Sequence, residues 1–182
     1  MKKFIFKSVL LLIVSTSLLS CSSDDSEPTE PLVCPTGYNG IDCTTQITPT
    51  RIVISKIRVK LFPNTNGGNN WDIGSAPDIF VRLGIGDGSA STVVLFTSDY
   101  IADAVSDGTN FFDFTPNTPI ELLFPTQQHA IILGDYDSTS SNEFMGGLVF
   151  NPYNSTGGFP TTITVNNSSI PLRFELTVSY VF

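Results

Sequence analysis

Residues 135–146 read Asp-Tyr-Asp-Ser-Thr-Ser-Ser-Asn-Glu-Phe-Met-Gly. An apolar run, Ala130-Ile131-Ile132-Leu133, leads into this stretch, and Leu148-Val149-Phe150 leads out. Three carboxylates therefore sit on a loop between two strands. Side chains two apart in extended backbone point the same way, so Asp135 and Asp137 aim at one point and Glu143 can fold back onto it. At ~5 Å and an effective dielectric of ~20, each like-charged pair costs roughly 3 kcal/mol. Such a loop is either splayed into water or holds a cation, and oxygen ligands suit a hard ion, calcium above all. The bland reading is of acidic turn residues, which Asp favours in any case.

The helix-flanked EF-hand loop does not fit. Its obligatory glycine would fall at Ser140 and its bidentate glutamate at Gly146, and the flanks here read as strands. The stretch is instead similar to the third calcium loop of the C-two domain, the calcium-dependent phospholipid-binding sandwich. That loop carries Asp-x-Asp and an acidic residue six further on, then an aromatic or aliphatic pair and glycine. The family's first calcium loop has two aspartates six apart, the second opening a strand. Asp72 and Asp78 stand at that separation, followed by Ile79-Phe80-Val81-Arg82-Leu83. The resemblance implies a calcium site built by Asp72, Asp78, Asp135, Asp137 and Glu143, assisted by the backbone carbonyls of Trp71 and Tyr136.

The elements that must position these loops read as β throughout. The chain has 182 residues, 41% of them hydrophobic, and is rich in Phe, Thr, Ser, Gly and Pro. Strands are expected over 52–62, 78–85, 92–97, 119–124, 128–133, 145–150, 161–165 and 172–182. In the first, the alternation slips from Ile52 and Ile54 to Ile57, Val59 and Leu61, which predicts a bulge at Ser55-Lys56. Lys56, Arg58 and Lys60 then line its outer face. Asp87-Gly88 reads as a hairpin turn. Residues 98–108 are expected to hold a short helical turn capped by Ser98, with Phe111, Phe112 and Phe114 packed beneath it. The expected fold is an all-β, eight-stranded antiparallel β-sandwich. Because the chain has no strand ahead of the first and gains 172–182 at its end, the resemblance implies the permuted, type II topology of the C-two family.

The N-terminus reads as a targeting segment. Met1–Ser20 has Lys2, Lys3 and Lys7 before the apolar run Val9–Val14, as in a secretion signal. Leu18-Leu19-Ser20-Cys21 resembles the lipobox of bacterial lipoproteins, which implies a lipidated Cys21 and a lipid-anchored outer-membrane protein. The acidic run after it, 22–27, resembles the surface-export signal of Bacteroidetes lipoproteins. With Cys21 lipidated, Cys34 and Cys43 remain as a disulfide pair, in a segment similar to the last loop of an epidermal-growth-factor-like module. Residues 21–50 are expected to be a largely extended stalk carrying this Cys34–Cys43 knot, with the globular domain over 51–182.

Net charge is −8, and removal of the leader leaves six basic against seventeen acidic groups, which argues against a nucleic-acid partner. The single histidine, His129, sits at a strand start, and no G-x-S-x-G surrounds a serine, so the chain is read as no enzyme. The expected function is a calcium-binding surface lipoprotein module that binds an external lipid, glycan or protein. The alternative is a structural lipoprotein in which calcium only stiffens the loops.

Overall fold

The computed structural model describes residues 32–89 and 92–182. The expected signal peptide at Met1–Ser20 and the lipidated Cys21 lie outside the described residues. Among the described residues there is no α-helix, and none long and apolar enough to cross a membrane.

In chain order the strands are β1 (Tyr38–Asn39), β2 (Thr45–Gln46), β3 (Arg51–Leu61), β4 (Thr65–Asn66), β5 (Asn69–Asn70), β6 (Ile79–Ile85) and β7 (Val93–Thr97). They continue with β8 (Phe112–Phe114), β9 (Ile120–Leu122), β10 (His129–Asp135), β11 (Glu143–Phe150), β12 (Thr162–Asn167) and β13 (Leu172–Val181). One sheet has the order β11-β10-β6-β7. The other runs β12-β13-β3, and the far side of β3 is shared by β9 along Ile52–Ile54 and β8 along Ile57–Val59. β8 and β9 therefore act as one interrupted strand, and each layer is four strands wide. β1–β2 and β4–β5 are separate two-stranded ribbons.

The fold is the antiparallel all-β sandwich read from the alternation, with nine strands in its two sheets rather than eight. The extra strand is β8. Each of the eight expected segments overlaps one of the other strands.

The core forms where the two inner faces meet. From one sheet come Ile52, Ile54, Ile57, Val59, Phe174 and Leu176; from the other come Val81, Leu83, Ile131 and Leu133, all fully buried. Each such side chain removed from water stabilises by about 1.5–3 kcal/mol. The expected slip in β3 is present: Thr177 pairs with Lys56 and Val178 with Ile54, so Ser55 is the extra residue of a bulge. Without it, Ile57 and Val59 would face solvent.

Residues 98–108 form no helix. Ser98 Oγ accepts the Val81 amide instead of capping a turn, at 2.9 Å, and Ile101 bridges to Ile79. The segment has sheet partners, which outcompete local helix formation. Phe114 is core and Phe112 packs against it, but Phe111 is half exposed beneath the Arg58 guanidinium at 3.8 Å.

Residues 32–50 are not an extended stalk. Cys34 and Cys43 form the expected disulfide, and the surrounding hairpin docks on the sandwich, so the compact unit begins at Leu32 rather than Arg51. Tyr38 meets Phe159 edge-on, Gln46 exchanges hydrogen bonds with Gly158, and the Thr50 amide donates to Val181. Gly37 lies so close to Phe159 and Phe182 that a Cβ would stand 2.5 Å from a ring carbon.

Replacing both cysteines by serine should lower stability by about 2–3 kcal/mol, the chain-entropy value for so short a loop. The check is urea unfolding with and without reductant: reductant should weaken the native protein and leave the double variant unmoved.

Candidate functional site: an acidic pole

β3, β7 and β10 end, and β6, β8 and β11 begin, at one pole of the sandwich. Three loops meet there, over 62–78, 98–111 and 136–142. Main-chain bonds tie them together. The Tyr136 amide donates to Asp78 O and the Ala104 amide to Pro77 O, each at 2.8 Å. Asn64 and Ser106 exchange two hydrogen bonds, and Ser106 Oγ accepts the Phe62 amide. The third loop is closed on itself by the Asp137 amide donating to Asn142 Oδ1 at 3.2 Å.

Asp135 is the end of an inward-facing row. Ile131, Leu133 and Asp135 alternate along β10, and all three are fully buried. Oδ1 of Asp135 accepts the Asp78 amide at 2.7 Å, while Oδ2 has no partner. Burial, against that hydrogen bond, pushes the carboxyl up to about 6, and repulsion from Asp72, Asp137 and Asp78 adds to it. Gly134 precedes it because the Phe80 ring lies across that position, 2.5 Å from where a Cβ would be.

Asp72 is raised for the same reasons: burial first, then Asp78, Asp137 and Asp103. Four of the five predicted acids, Asp72, Asp78, Asp135 and Asp137, therefore share one field. Glu143 stands opposite Asp135 in register but is exposed, and it is not among the charges that repel either group. The Trp71 ring packs against the core and its Nε1–H donates to Pro63 O at 2.9 Å. Tyr136 stacks on Tyr100, with ring centroids 4.4 Å apart and an interplanar angle of 7°.

Asp103 belongs to this field and was not anticipated. It has φ +52°, and its amide donates to Asp78 Oδ1 at 3.0 Å. The available signal was the spacing of Asp99, Asp103 and Asp107 in a segment with no apolar period. Ile73, fully exposed beside Asp72, is a second unanticipated feature of the pole.

Among the described residues no three carboxylate, imidazole or thiol side chains converge closely enough to hold a metal ion. The donor set nevertheless fits a hard cation: oxygen only, anionic, with one buried carboxylate oxygen lacking a partner. His129 takes no part. It starts β10 at the opposite end of that strand, fully buried, with Nδ1 2.9 Å from Gln127 O, and burial lowers its pKa.

No protein family's model matches this sequence, and no curated protein matches it. Among solved structures, the chain is similar to human GIVD cytosolic phospholipase A2 in complex with methyl gamma-linolenyl fluorophosphonate. The identity is 15%, covering 73% of this chain and 18% of that chain, with a TM-score of 0.46. It is also similar to a C2, or C-two, domain, with 12% identity over 71% of this chain and 97% of that chain and a TM-score of 0.43. A C2 domain protein from Ramazzottius varieornatus gives 10% identity, 74% and 91% coverage, and a TM-score of 0.42.

Proposed function

We propose that this chain is a calcium-dependent binding module of the C-two type, lipid-anchored through Cys21 and displayed at the outer surface of a bacterial outer membrane. Its external ligand is a lipid, a glycan or a protein, and its role is recognition rather than catalysis. The observation that carries this reading is Asp135: fully buried, one oxygen without a partner, and repelled by three other aspartates. A cation would relieve that repulsion and take up the orphaned oxygen.

Asp72, Asp78, Asp135 and Asp137 would hold the ion, with Asp103 beside them and the backbone carbonyls of Trp71 and Tyr136 within the same loops. Glu143 would join from the rim only by swinging inward. When bound, the ion supplies a positive point that an anionic or hydroxyl-rich ligand can complete. The protein's own contribution is to hold the three loops in register through the Asp78, Asn64 and Ser106 hydrogen bonds. Outside a cell an affinity of roughly 10⁻⁴–10⁻³ M suffices.

The docked hairpin at residues 32–50 lies at the pole away from the acids, beside Phe159 and Phe182. On this reading the acidic loops face outward, away from the anchoring membrane.

The test is a thermal melt in EDTA and in millimolar calcium. Calcium at ten times its dissociation constant should stabilise by about 1.4 kcal/mol through linkage. Asp72→Asn combined with Asp78→Asn should abolish the rise. A native melting temperature that calcium leaves unmoved would sink the site.

A further inference from the structure

A groove runs from the edge of the acidic pole, where the loops over 98–111 and 136–142 line it, onto the outer face of the β11-β10-β6-β7 sheet. One lobe, of about 310 Å³, lies between Phe80, Arg82, Asp99, Tyr100, Tyr136 and Asn142. A second, also of about 310 Å³, runs on over Gly84, Val94, Ala130 and Ile132. The lobes share Arg82, so together they cross several strands, and each is at the lower end of ligand clefts, which span about 300–1,000 Å³.

Arg82 is the odd cation of this domain. Of the six basic side chains among the described residues, Arg51 pairs with Glu121, Lys56 and Arg58 with Asp113, and Arg173 with Glu175. Lys60 lies over the Phe111 ring at 5.2 Å. Arg82 alone has neither an acidic nor an aromatic partner among the described residues, and it is exposed where the two lobes meet, in a chain of net charge −8. A guanidinium presents a planar fork matched to a carboxylate.

Beside it stands an aromatic surface. Tyr100 is 48% exposed and its ring is backed by Tyr136 in parallel stacking. Such a backed ring is rigid and offers one flat apolar face with a hydroxyl at its edge. Asp99 and Asn142 supply an acceptor and an amide at the same lobe. A flat apolar face, hydroxyl-binding groups and one cation in a two-lobed groove match a pyranose chain that carries carboxylates. An anionic membrane matches poorly, because it calls for several clustered cations, whereas this groove offers one, Arg82, beside a ring-stacking surface.

We propose that this groove binds an acidic oligosaccharide. The Arg82 guanidinium takes a sugar carboxylate, a pyranose ring stacks on Tyr100, and the chain continues over Gly84 and Ile132. This binding does not require the ion of the acidic pole.

The experiment is isothermal titration calorimetry on the detergent-solubilised full chain in EDTA, so that calcium bridging at the pole cannot contribute. The probes are tetragalacturonate, a hyaluronan tetrasaccharide and neutral cellotetraose. At least one acidic probe should bind with a Kd below about 1 mM, and cellotetraose about tenfold or more weaker. Arg82→Gln and Tyr100→Ala should each weaken the acidic probe about tenfold, Arg82→Gln with the melting temperature unchanged and Tyr100→Ala with a fall of a few degrees at most from the lost Tyr136 stacking; Arg82→Lys should retain part of the affinity. The proposal is overturned if neither acidic probe binds or if cellotetraose binds equally well. It is equally overturned if Arg82→Gln binds like the native chain, or if inorganic phosphate displaces the sugar at matched concentration. Because calcium is absent throughout, failure here leaves the calcium site standing, and failure of the calcium melt leaves this groove standing.

Discussion

In calcium-free buffer at pH 7.5, Asp135→Asn should melt above the native protein and should no longer respond to calcium. The Asp135 carboxyl is fully buried and pushed up to about 6, against about 3.9 for the unfolded chain. The folded state therefore holds the proton more tightly than the unfolded one. Without calcium, stability falls as pH rises from about 4 to about 6 and the full penalty persists above that. A gap of about two pH units corresponds to roughly 3 kcal/mol. Asparagine removes the charge, and its Oδ1 can still accept the Asp78 amide. At about 2–4 °C per kcal/mol for a chain of this size, the apo melting temperature should climb by roughly 6–12 °C at pH 7.5 and hardly at all at pH 4. A variant that melts below the native protein in EDTA at pH 7.5 would mean that the buried carboxylate is a structural asset rather than a strained ligand.

Phe174→Ala should cost about 3–5 kcal/mol, the range for emptying a buried aromatic site. Phe174 is among the largest fully buried side chains, on β13 opposite Val59 of β3 and Val165 of β12. Three strands close over it, so collapse into the hole would require moving strands that hydrogen bonds hold in register. Denaturant unfolding gives the measurement, and the midpoint should fall with little change in slope. Phe111→Ala is the control: that ring is 48% exposed, and its removal should cost far less. Equal losses for the two would contradict the inward assignment of β13.

The period-two pattern carried much of this architecture. Ile52 and Ile54 followed by Ile57 and Val59 named both the buried face of β3 and the bulge at Ser55, because one inserted residue is what returns the later pair to the core. The Lys56-Arg58-Lys60 stripe was legible for the same reason, as the opposite face. Its partners were not: Asp113 and Phe111 come from β8 and the segment before it. β8 itself is three residues long with Pro116 close behind, too short to show any period. It exists because β3 offers an unpaired edge, and residues 98–108 are extended because Val81 and Ile79 offer partners.

At the acidic pole, the spacing within 135–143 suggested one carboxylate cluster, and only the resemblance to the C-two calcium loops joined Asp72 and Asp78 to Asp135, Asp137 and Glu143; the fold puts the four aspartates in one field and leaves Glu143 outside it. Burial was not readable. An aspartate at a strand end ordinarily faces water, and what draws Asp135 inside is the Asp78 amide, 57 residues away. Asp103 reaches the same point through a φ of +52°, which no sequence period encodes, and Glu143 stays outside because its side chain is exposed at the start of β11. The hairpin over 32–50 makes the same point at the other end of the molecule. Its composition is that of a solvated linker, yet Gln46 finds Gly158 at a separation of 112 residues and Tyr38 finds Phe159. Local pattern fixes which face of a strand is apolar, because alternation is a property of neighbouring residues. Which loop carboxylate is buried, and which linker docks, depends on partners brought together only by the closed sandwich.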